Sequence, residues 1–171
     1  MDISKEVLLV GNPALYQVSE EIKKEETADL KPLIKALHKT LMKFRKKHNR
    51  GRAIAAPQLG VLKRVIYMHM NDEATILLNP TFSWKSPEII EIWDDCMSLP
   101  ELLVKVKRHK SCRLKFFDME WKEHEWALEG DLSELLQHEY DHLDGILATM
   151  RAIDGKSFAW ASQKEYIDFK R

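Results

Sequence analysis

The chain has 171 residues, a length that suits one domain, residues 1–171, with a sizeable core. Its 27 basic and 27 acidic residues balance, which argues against DNA or an anionic membrane as a partner. No apolar run is long enough to cross a membrane, and the first residues lack the apolar core of a signal peptide. Two cysteines are too few for a disulfide scaffold, so we expect a reduced, cytoplasmic protein.

A first helix is expected after residue 29, where apolar residues recur with helical spacing. Asp29 can cap this helix, and Pro32 falls in its first turn, where the missing N–H costs little. The apolar stripe consists of Leu30, Leu33, Ile34, Leu37, Leu41 and Phe44. Such a stripe predicts core packing rather than a binding surface.

Residues 51–60 combine small side chains with a glycine at each end. Glycines let a backbone come close to a ligand, and they also suit a tight loop before a strand, so both interpretations stay open. Gln58 is the one side chain in this stretch that offers both a hydrogen-bond donor and an acceptor.

The middle of the chain is predicted to be rich in strands. They are expected over 61–70, 75–78, 88–93, 102–108, 112–117 and 121–128. Asn79-Pro80 is expected to end the second of them, and Cys112 lies inside an alternating strand, where it is a small core residue. With a helix on each side, this arrangement predicts an α+β fold, followed by an extension over 156–171 that packs on the body.

A second helix is predicted around the sequence His-Glu-x-x-His. Its histidines, His138 and His142, are four positions apart, so they lie one turn apart on one face and can bind one metal ion. Glu139 lies where a carboxylate can take a proton from an attacking water and pass it to a leaving group. Two ordinary polar histidines are the alternative, but their leucine neighbours would then bury them without a common partner.

Both ends of this helix carry sequence signals. Asp131 followed by Glu134 resembles a capping box at the start, and Gly145 occupies the position of a left-handed helix stop. The two histidines therefore fall inside the helix rather than at an end.

A catalytic metal normally has three protein ligands and one open position, so a third ligand must come from elsewhere in the chain. Cys96 is the better candidate because it lies in a polar loop beside Asp95 and Ser98, whereas Cys112 lies within a strand. A Cys-His-His set suits iron(II) or zinc.

Three motifs occur in order along the chain: Gly-x-x-x-Ala-Ala-Pro-Gln-x-Gly at 51–60, Cys-x-Ser-x-Pro at 96–100 and Gln-His-Glu-x-Asp-His-Leu-x-Gly at 137–145. Together they resemble the three signature motifs of the peptide deformylase family. The resemblance extends to Asn79-Pro80, Arg108 and Gly130, and it covers most of residues 6–150.

The resemblance implies a metal-dependent hydrolase that removes the formyl group from the N-terminal methionine of new polypeptides and releases formate. By position, its metal ligands are Cys96, His138 and His142, and the family's usual metal is iron(II), replaceable by nickel, cobalt or zinc. It implies a fold of mostly antiparallel strands around a central metal-binding helix, with an N-terminal helix and a C-terminal extension. The implied partners are nascent formylmethionyl polypeptides, with the ribosome surface as a further candidate.

Matched positions give the remaining site residues. Glu139 matches the general acid/base. Gln58 and the backbone N–H of Met97 match the donors that hold the oxyanion, and losing one such donor typically costs about 2.7–4 kcal/mol. Gly51 and the next two residues match the loop along the substrate groove.

The chain departs from the family pattern in two of the motifs. Asp94-Asp95 stands where the family usually has Glu-Gly, and Ala53 replaces a glycine, which can shift the loop or crowd the groove. The family often pairs the acid at position 94 with an arginine, which we match to Arg108.

Two further departures concern the pocket for the methionine side chain. Arg52 and Glu134 occupy positions where the family more often has apolar residues that line this pocket. One interpretation pairs them at the pocket rim, where they would alter which first side chain is accepted. The other, slightly preferred, has both side chains simply in solvent.

Two other functions stay open. A His-Glu-x-x-His metallopeptidase would take its third ligand after the helix, where Asp154 and Glu165 are acidic candidates and there is no histidine. A deformylase-like protein with an altered acyl-amide substrate, or with a non-catalytic metal-binding role, is supported only by the changed second motif.

Overall fold

The computed structural model describes residues 3–169. Over these residues the chain forms eight β-strands and two α-helices, together with short 3-10 helices. The strands are β1 (Ala53–Ala55), β2 (Val65–Met70), β3 (Glu73–Lys85), β4 (Ile89–Asp95), β5 (Leu102–His109), β6 (Ser111–Phe117), β7 (Glu123–Glu129) and β8 (Phe158–Trp160). The helices are α1 (Lys31–His48) and α2 (Asp131–Leu143).

The strands build two sheets. The first has five strands in the order β1-β2-β3-β6-β7, and the second has three in the order β4-β5-β8. Every pairing between these strands is antiparallel. The predicted α+β class with mostly antiparallel strands is therefore confirmed.

The five-stranded sheet has a helix on each face near β2. Val65 and Tyr67 belong to the apolar cluster that includes the leucines of α1. The alternate residues Ile66 and Met68 belong to a second cluster with the leucines of α2. Because successive side chains of a strand point to opposite faces, β2 separates the two helices and contributes to both cores.

Helix α1 is held by its apolar face, as its periodicity predicts. Leu33, Leu37 and Leu41 are fully buried, and burial of each such side chain contributes about 1.5–3 kcal/mol. The prediction that Asp29 caps this helix is wrong. Residues 24–30 already form a 3-10 helix, so the chain is helical before α1 begins and Leu30 occupies the N-cap without a side-chain bond.

Strand β3 is longer than expected, because Asn79-Pro80 does not end it. Asn79 has a φ of 47°, and the register with β6 shifts between Leu78 and Thr81, which marks a bulge. The Asn79 side chain accepts from the backbone N–H of Ile22 and donates to the carbonyl of Ile22, each at 2.8 Å. The Asn-Pro pair therefore anchors the N-terminal segment from within a strand, at a bulge where proline is tolerated.

The segment over residues 51–60 contains a strand that the sequence analysis missed. Strand β1 pairs with β2, with Ile54 opposite Tyr67, and places the segment at one edge of the five-stranded sheet. A 3-10 helix, Ala56–Leu59, follows and ends at Gly60, whose φ is 77°. The short strand is too brief to give an alternating sequence pattern, which explains why only its glycines were informative.

The two ends of α2 meet their predictions differently. The capping box is wrong: Gly130 is the N-cap, no side chain caps the helix, and Asp131 already lies in its first turn. The stop at Gly145 is confirmed, because Gly145 has a φ of 70° and an added Cβ would lie 2.6 Å from the backbone of Tyr16. The chain can therefore turn away from α2 only with a glycine at position 145.

Helix α2 contacts β1 and β7 of the larger sheet and β5 of the smaller one, so it lies between the two sheets. The predicted extension does pack on the body: β8 pairs with β5, with Ala159 opposite Leu103, and residues 170–171 lie outside the described part. No helix within residues 3–169 is long and apolar enough to cross a membrane. The organisation of residues 1–171 as one domain stays a prediction.

Candidate active site

Three side chains from two distant parts of the chain meet beside α2. Cys96 follows the end of β4, and His138 and His142 lie on the face of α2 that looks toward it. All three are buried, and their ligand atoms lie within 4.8 Å of one another. The predicted set is therefore brought together, and one thiolate with two imidazoles is a donor set that suits a divalent transition metal.

Asp94 fixes the orientation of the first histidine. The Nδ1–H of His138 donates to Asp94 Oδ2 at 2.9 Å, which leaves Nε2 as the free ligand atom of that ring. Arg108 donates to the same oxygen at 2.9 Å, so the match between Arg108 and Asp94 is confirmed. Burial alone would raise the pKa of Asp94, but its contacts with His138 and Arg108 hold it far below its usual range.

A second carboxylate, Asp141, completes the ion-pair network around Arg108. Arg108 donates to one oxygen of Asp141, and Arg151 donates to the other at 2.9 Å. Asp141 belongs to the Gln-His-Glu-x-Asp-His motif, but the sequence analysis gave it no role. Its partners come from β5 and from a 3-10 helix after α2, and no local sequence pattern relates those segments.

Glu139 is a carboxylate beside the cluster that takes no part in this ion-pair network. It is buried, and its Oε2 has no hydrogen-bond partner among the described residues. Burial is the main cause that raises its pKa to about 7. A carboxyl group with a pKa near neutrality can both accept and return a proton, as a general acid/base requires.

The amide of Gln58 is aimed at the site by the backbone. The N–H of Ala55 donates to Gln58 Oε1 at 3.0 Å, which turns Nε2 toward Cys96 Sγ at 3.6 Å and Ser98 Oγ at 3.1 Å. The 3-10 helix that follows β1 makes this short contact possible. Gln58 therefore presents its amide N–H group beside the ligand cluster.

His142 is fully enclosed on the other side of the cluster. Its Nε2 lies 3.2 Å from Cys96 Sγ, and its ring is nearly perpendicular to that of His138, with 4.9 Å between the ring centroids. Burial, helped by the neighbouring His138, holds the pKa of His142 well below its usual range. A low pKa keeps the imidazole neutral, which is the form that binds a metal.

A cavity of about 270 Å³ opens in front of the cluster. Its lining includes every residue that the sequence analysis assigned to the site except the deeper His142. The lining side chains and backbone include Gly51, Arg52, Ala53, Gln58, Cys96, Met97, Glu134, His138 and Glu139. The predicted groove residues and catalytic residues therefore share one pocket.

The solvent interpretation of Arg52 and Glu134 is wrong. Arg52 Nη2 donates to Glu134 Oε1 at 2.7 Å, and Nη1 donates to Asp131. This ion pair holds Glu134 in the wall of the cavity. Burial, followed by the charge of Asp94, raises the pKa of Glu134. Two carboxylates that were expected to cap α2 thus form part of the cavity wall instead.

The changed residue Asp95 is also accommodated. It ends β4 in an extended strand, and Arg50 lies 3.3 Å from its carboxylate. Ala53 is buried in β1, where its methyl group belongs to the apolar cluster beside α2. Neither substitution displaces Cys96, His138 or Gln58 from the cluster.

An α+β frame that carries a buried Cys-His-His set, with an unpaired carboxylate and an amide donor beside it, defines the class of metal-dependent hydrolases. A family model described as polypeptide deformylase matches residues 4–157, and the chain belongs to that family.

Individual relatives agree with the family model. The peptide deformylase of Leptospira biflexa is 34% identical over 169 residues, which cover 91% of this chain and 92% of the relative. The solved structure of a peptide deformylase from Thermotoga maritima is 28% identical, with a TM-score of 0.78, and covers 88% of this chain and 99% of that chain. A class I type b deformylase from Acinetobacter baumannii, solved with Met-Ala-Ser bound, is 27% identical with a TM-score of 0.78 over 88% and 99% of the two chains. The predicted family and enzyme class are both confirmed.

Proposed function

We propose that this chain hydrolyses the N-terminal formyl group of newly made polypeptides, with formyl-methionine as the family substrate, and releases formate. The observation that carries the proposal is the position of Glu139, a buried carboxylate with an unpaired oxygen next to the Cys96–His138–His142 cluster. Removal of a formyl group requires a proton to move from water to an amine, which such a carboxylate can do. The proposal places this reaction in the cytoplasm, where new chains are made.

The residues present fit a divalent metal. Cys96, His138 and His142 supply three ligand atoms, and the bond from Asp94 leaves the correct nitrogen of His138 for coordination. We propose iron(II) as the metal, with nickel, cobalt or zinc able to replace it. When bound, the metal supplies Lewis acidity that makes water nucleophilic at neutral pH.

The protein's own groups would handle the proton and the negative charge. Glu139 takes the proton from the attacking water and returns it to the departing amine, which its near-neutral pKa allows in both directions. Gln58 Nε2 and the backbone N–H of Met97 would donate to the oxygen of the formyl group as it gains charge. The bond from Ala55 holds the Gln58 amide beside the cluster before the reaction.

The groove would hold the peptide that follows the formyl group. Gly51, Arg52 and Ala53 form one wall and Glu134 on α2 forms another. The Acinetobacter baumannii relative with Met-Ala-Ser bound supports this use of the groove, since that peptide has the sequence of a deformylated N-terminus. The metallopeptidase alternative is less well supported, because the third potential ligand beside the histidines is Cys96, which precedes α2.

The test is release of formate from formyl-Met-Ala-Ser by protein purified without oxygen, with nickel-loaded protein as an oxygen-tolerant control. Glu139→Gln keeps the size of the side chain but removes the base, so we expect a loss of about 10²–10⁴-fold in kcat/KM. The metal content of the variant, measured in parallel, should equal that of the wild type. Metal-loaded wild type that releases no formate would overturn the proposal.

A further inference from the structure

One wall of the cavity carries a cation between two acids. Arg52 donates to Glu134 at 2.7 Å and also to Asp131, and all three residues line the cavity. The side chain of Glu134 is only 15% exposed and that of Arg52 27%, whereas Asp131 is 70% exposed. We call Arg52, Asp131 and Glu134 the acidic wall, because its formal charge is negative.

The acidic wall lies within reach of the reacting group. Glu134 is four positions before His138 on α2, so the two side chains share one helix face about 6 Å apart along the axis. Arg52 immediately precedes β1, whose continuation carries Gln58. A formylated residue with its formyl group at Glu139 and Gln58 would therefore place its first side chain in the part of the cavity that this wall bounds.

The two carboxylates have more acceptor capacity than Arg52 uses. Each carboxylate can accept roughly four hydrogen bonds, and Arg52 donates to one oxygen of Glu134 and one of Asp131. Two negative charges and one positive charge leave an excess of one negative charge. Because Glu134 is mostly withdrawn from water, a further donor from the substrate would be worth more there than on an open surface.

Apolar side chains line a further part of this cavity. Ile90 and Ile92 of β4 and Leu135 of α2 line it together with the acidic wall. A lysine side chain combines an apolar stem with a charged head, so its methylenes match these residues and its ammonium matches Glu134 and Asp131. A methionine side chain can use the apolar surface but gives the carboxylates no donor, and a glutamate side chain would be repelled.

We propose that the acidic wall makes this deformylase accept formylated peptides whose first side chain carries N–H donors, a lysine-like ammonium foremost, at least as well as formyl-methionyl peptides. This inference rests on the proposed deformylation. A purely structural role, in which Arg52 only ties β1 to α2, would leave the selectivity for the first residue unchanged when one charge is removed.

The experiment compares kcat/KM for formate release from formyl-Xaa-Ala-Ser peptides, where Xaa is methionine, norleucine, glutamine, lysine or glutamate. For the wild type we expect lysine to equal or exceed methionine and norleucine, glutamine to lie close to them, and glutamate to be the poorest. A lysine peptide turned over less efficiently than the methionine peptide would overturn the proposal. If no peptide releases formate, the proposed function itself fails, so the two failures are distinguishable.

Variants of the wall assign the effect to its residues. Glu134→Gln and Asp131→Asn keep side-chain shape, and each should lower the lysine-to-methionine ratio of kcat/KM, the first by about tenfold and the exposed second by less. Glu26→Gln is the matched control. Glu26 forms a comparable ion pair with Lys63, with 3.0 Å between the paired atoms, and it does not line this cavity. Melting temperatures establish that each variant folds, and a ratio unchanged in folded Glu134→Gln would contradict the proposal.

Discussion

The two long helices bury very different faces. In α1 the buried side chains are all leucines, and they pack against the larger sheet. In α2 the buried set is dominated by polar groups: Ser133, Gln137, His138, Glu139, Asp141 and His142. The first helix is thus stabilised by loss of apolar surface from water, whereas the second requires a partner for nearly every group that it buries.

Most of the polar groups that α2 buries have hydrogen-bond partners, and a few do not. Gln137, for example, accepts from the backbone N–H of His109 and donates to its carbonyl, so it joins α2 to β5 as a strand neighbour would. Among the described residues, the buried atoms of α2 without a partner are Glu139 Oε2 and His142 Nδ1. A carboxylate oxygen left unpaired beside a ligand cluster costs stability, and the proposed role of Glu139 in proton transfer accounts for it.

The largest stability effect should come from α1. Leu37 is fully buried, so Leu37→Ala should lower the free energy of unfolding by about 2–5 kcal/mol, through lost burial and the cavity that remains. Urea unfolding measures this change. Because α1 contributes no side chain to the ligand cluster, kcat/KM per folded molecule should stay at the wild-type value.

A matched control for that variant lies on the same helix. Lys39 is exposed, and Lys39→Ala should change the free energy of unfolding by no more than about 0.5 kcal/mol. If Leu37→Ala lowered the free energy of unfolding no more than Lys39→Ala does, burial would not be what holds α1. A loss of activity in folded Leu37→Ala would contradict the view that α1 stabilises the fold without affecting the ligand cluster.

An intermediate effect is expected at the partner of His138. Asp94→Asn keeps the shape of the side chain but removes the charge that orients the imidazole, so metal affinity should fall by about 10–100-fold. Competition with a chelator gives the affinity directly. Arg108 retains Asp141 as a charged partner, and the variant should therefore still fold. Unchanged affinity would show that the Asp94–His138 bond is not needed for binding.

The smallest effect should come from an aspartate–histidine pair on the surface, the partly exposed counterpart of Asp94 and His138. Asp118 accepts from His124 at 2.7 Å, and this bond is the main cause that lowers the pKa of Asp118 below its usual value. Because the folded-state pKa is the lower one, the stabilisation is present above the ordinary carboxyl range of about 3.9 and is lost as pH falls through the folded value.

The measurement for this pair is the stability difference between wild type and Asp118→Asn in urea at several pH values. We expect a small advantage of the wild type near neutrality that shrinks below about pH 4, since partly exposed pairs are screened by water. An advantage that grows on acidification would contradict a lowered pKa of Asp118 in the folded protein.

Periodicity predicted the features that depend on residues close together in the chain. The apolar stripe of α1 follows from its spacing, and the position of the two histidines on one helix face follows from helical geometry. The ligand set and the donor Gln58 followed from the three sequence motifs taken together. The Arg108–Asp94 pair was matched from the family's pattern and is confirmed at 2.9 Å.

The features that the sequence did not predict depend on contacts between distant segments. Asn79 was expected to end a strand, but its side chain binds Ile22, and this contact holds a bulge within β3. Asp131 was expected to cap α2, but its carboxylate accepts a hydrogen bond from Arg52, which lies 79 residues away in the chain. In both cases a residue with a strong local preference is overruled by a partner that only the folded chain provides.

Helix α2 contributes two of the three side chains of the potential metal site, and Cys96 contributes the third. The direct measurement is the metal content of Cys96→Ala beside Cys112→Ala, since both cysteines are buried and only Cys96 lies with the two histidines. We predict about one metal ion per chain in the wild type and in Cys112→Ala, and loss of tight binding in Cys96→Ala. Tight binding that survives in Cys96→Ala would contradict this claim, because the third ligand would then come from another part of the chain.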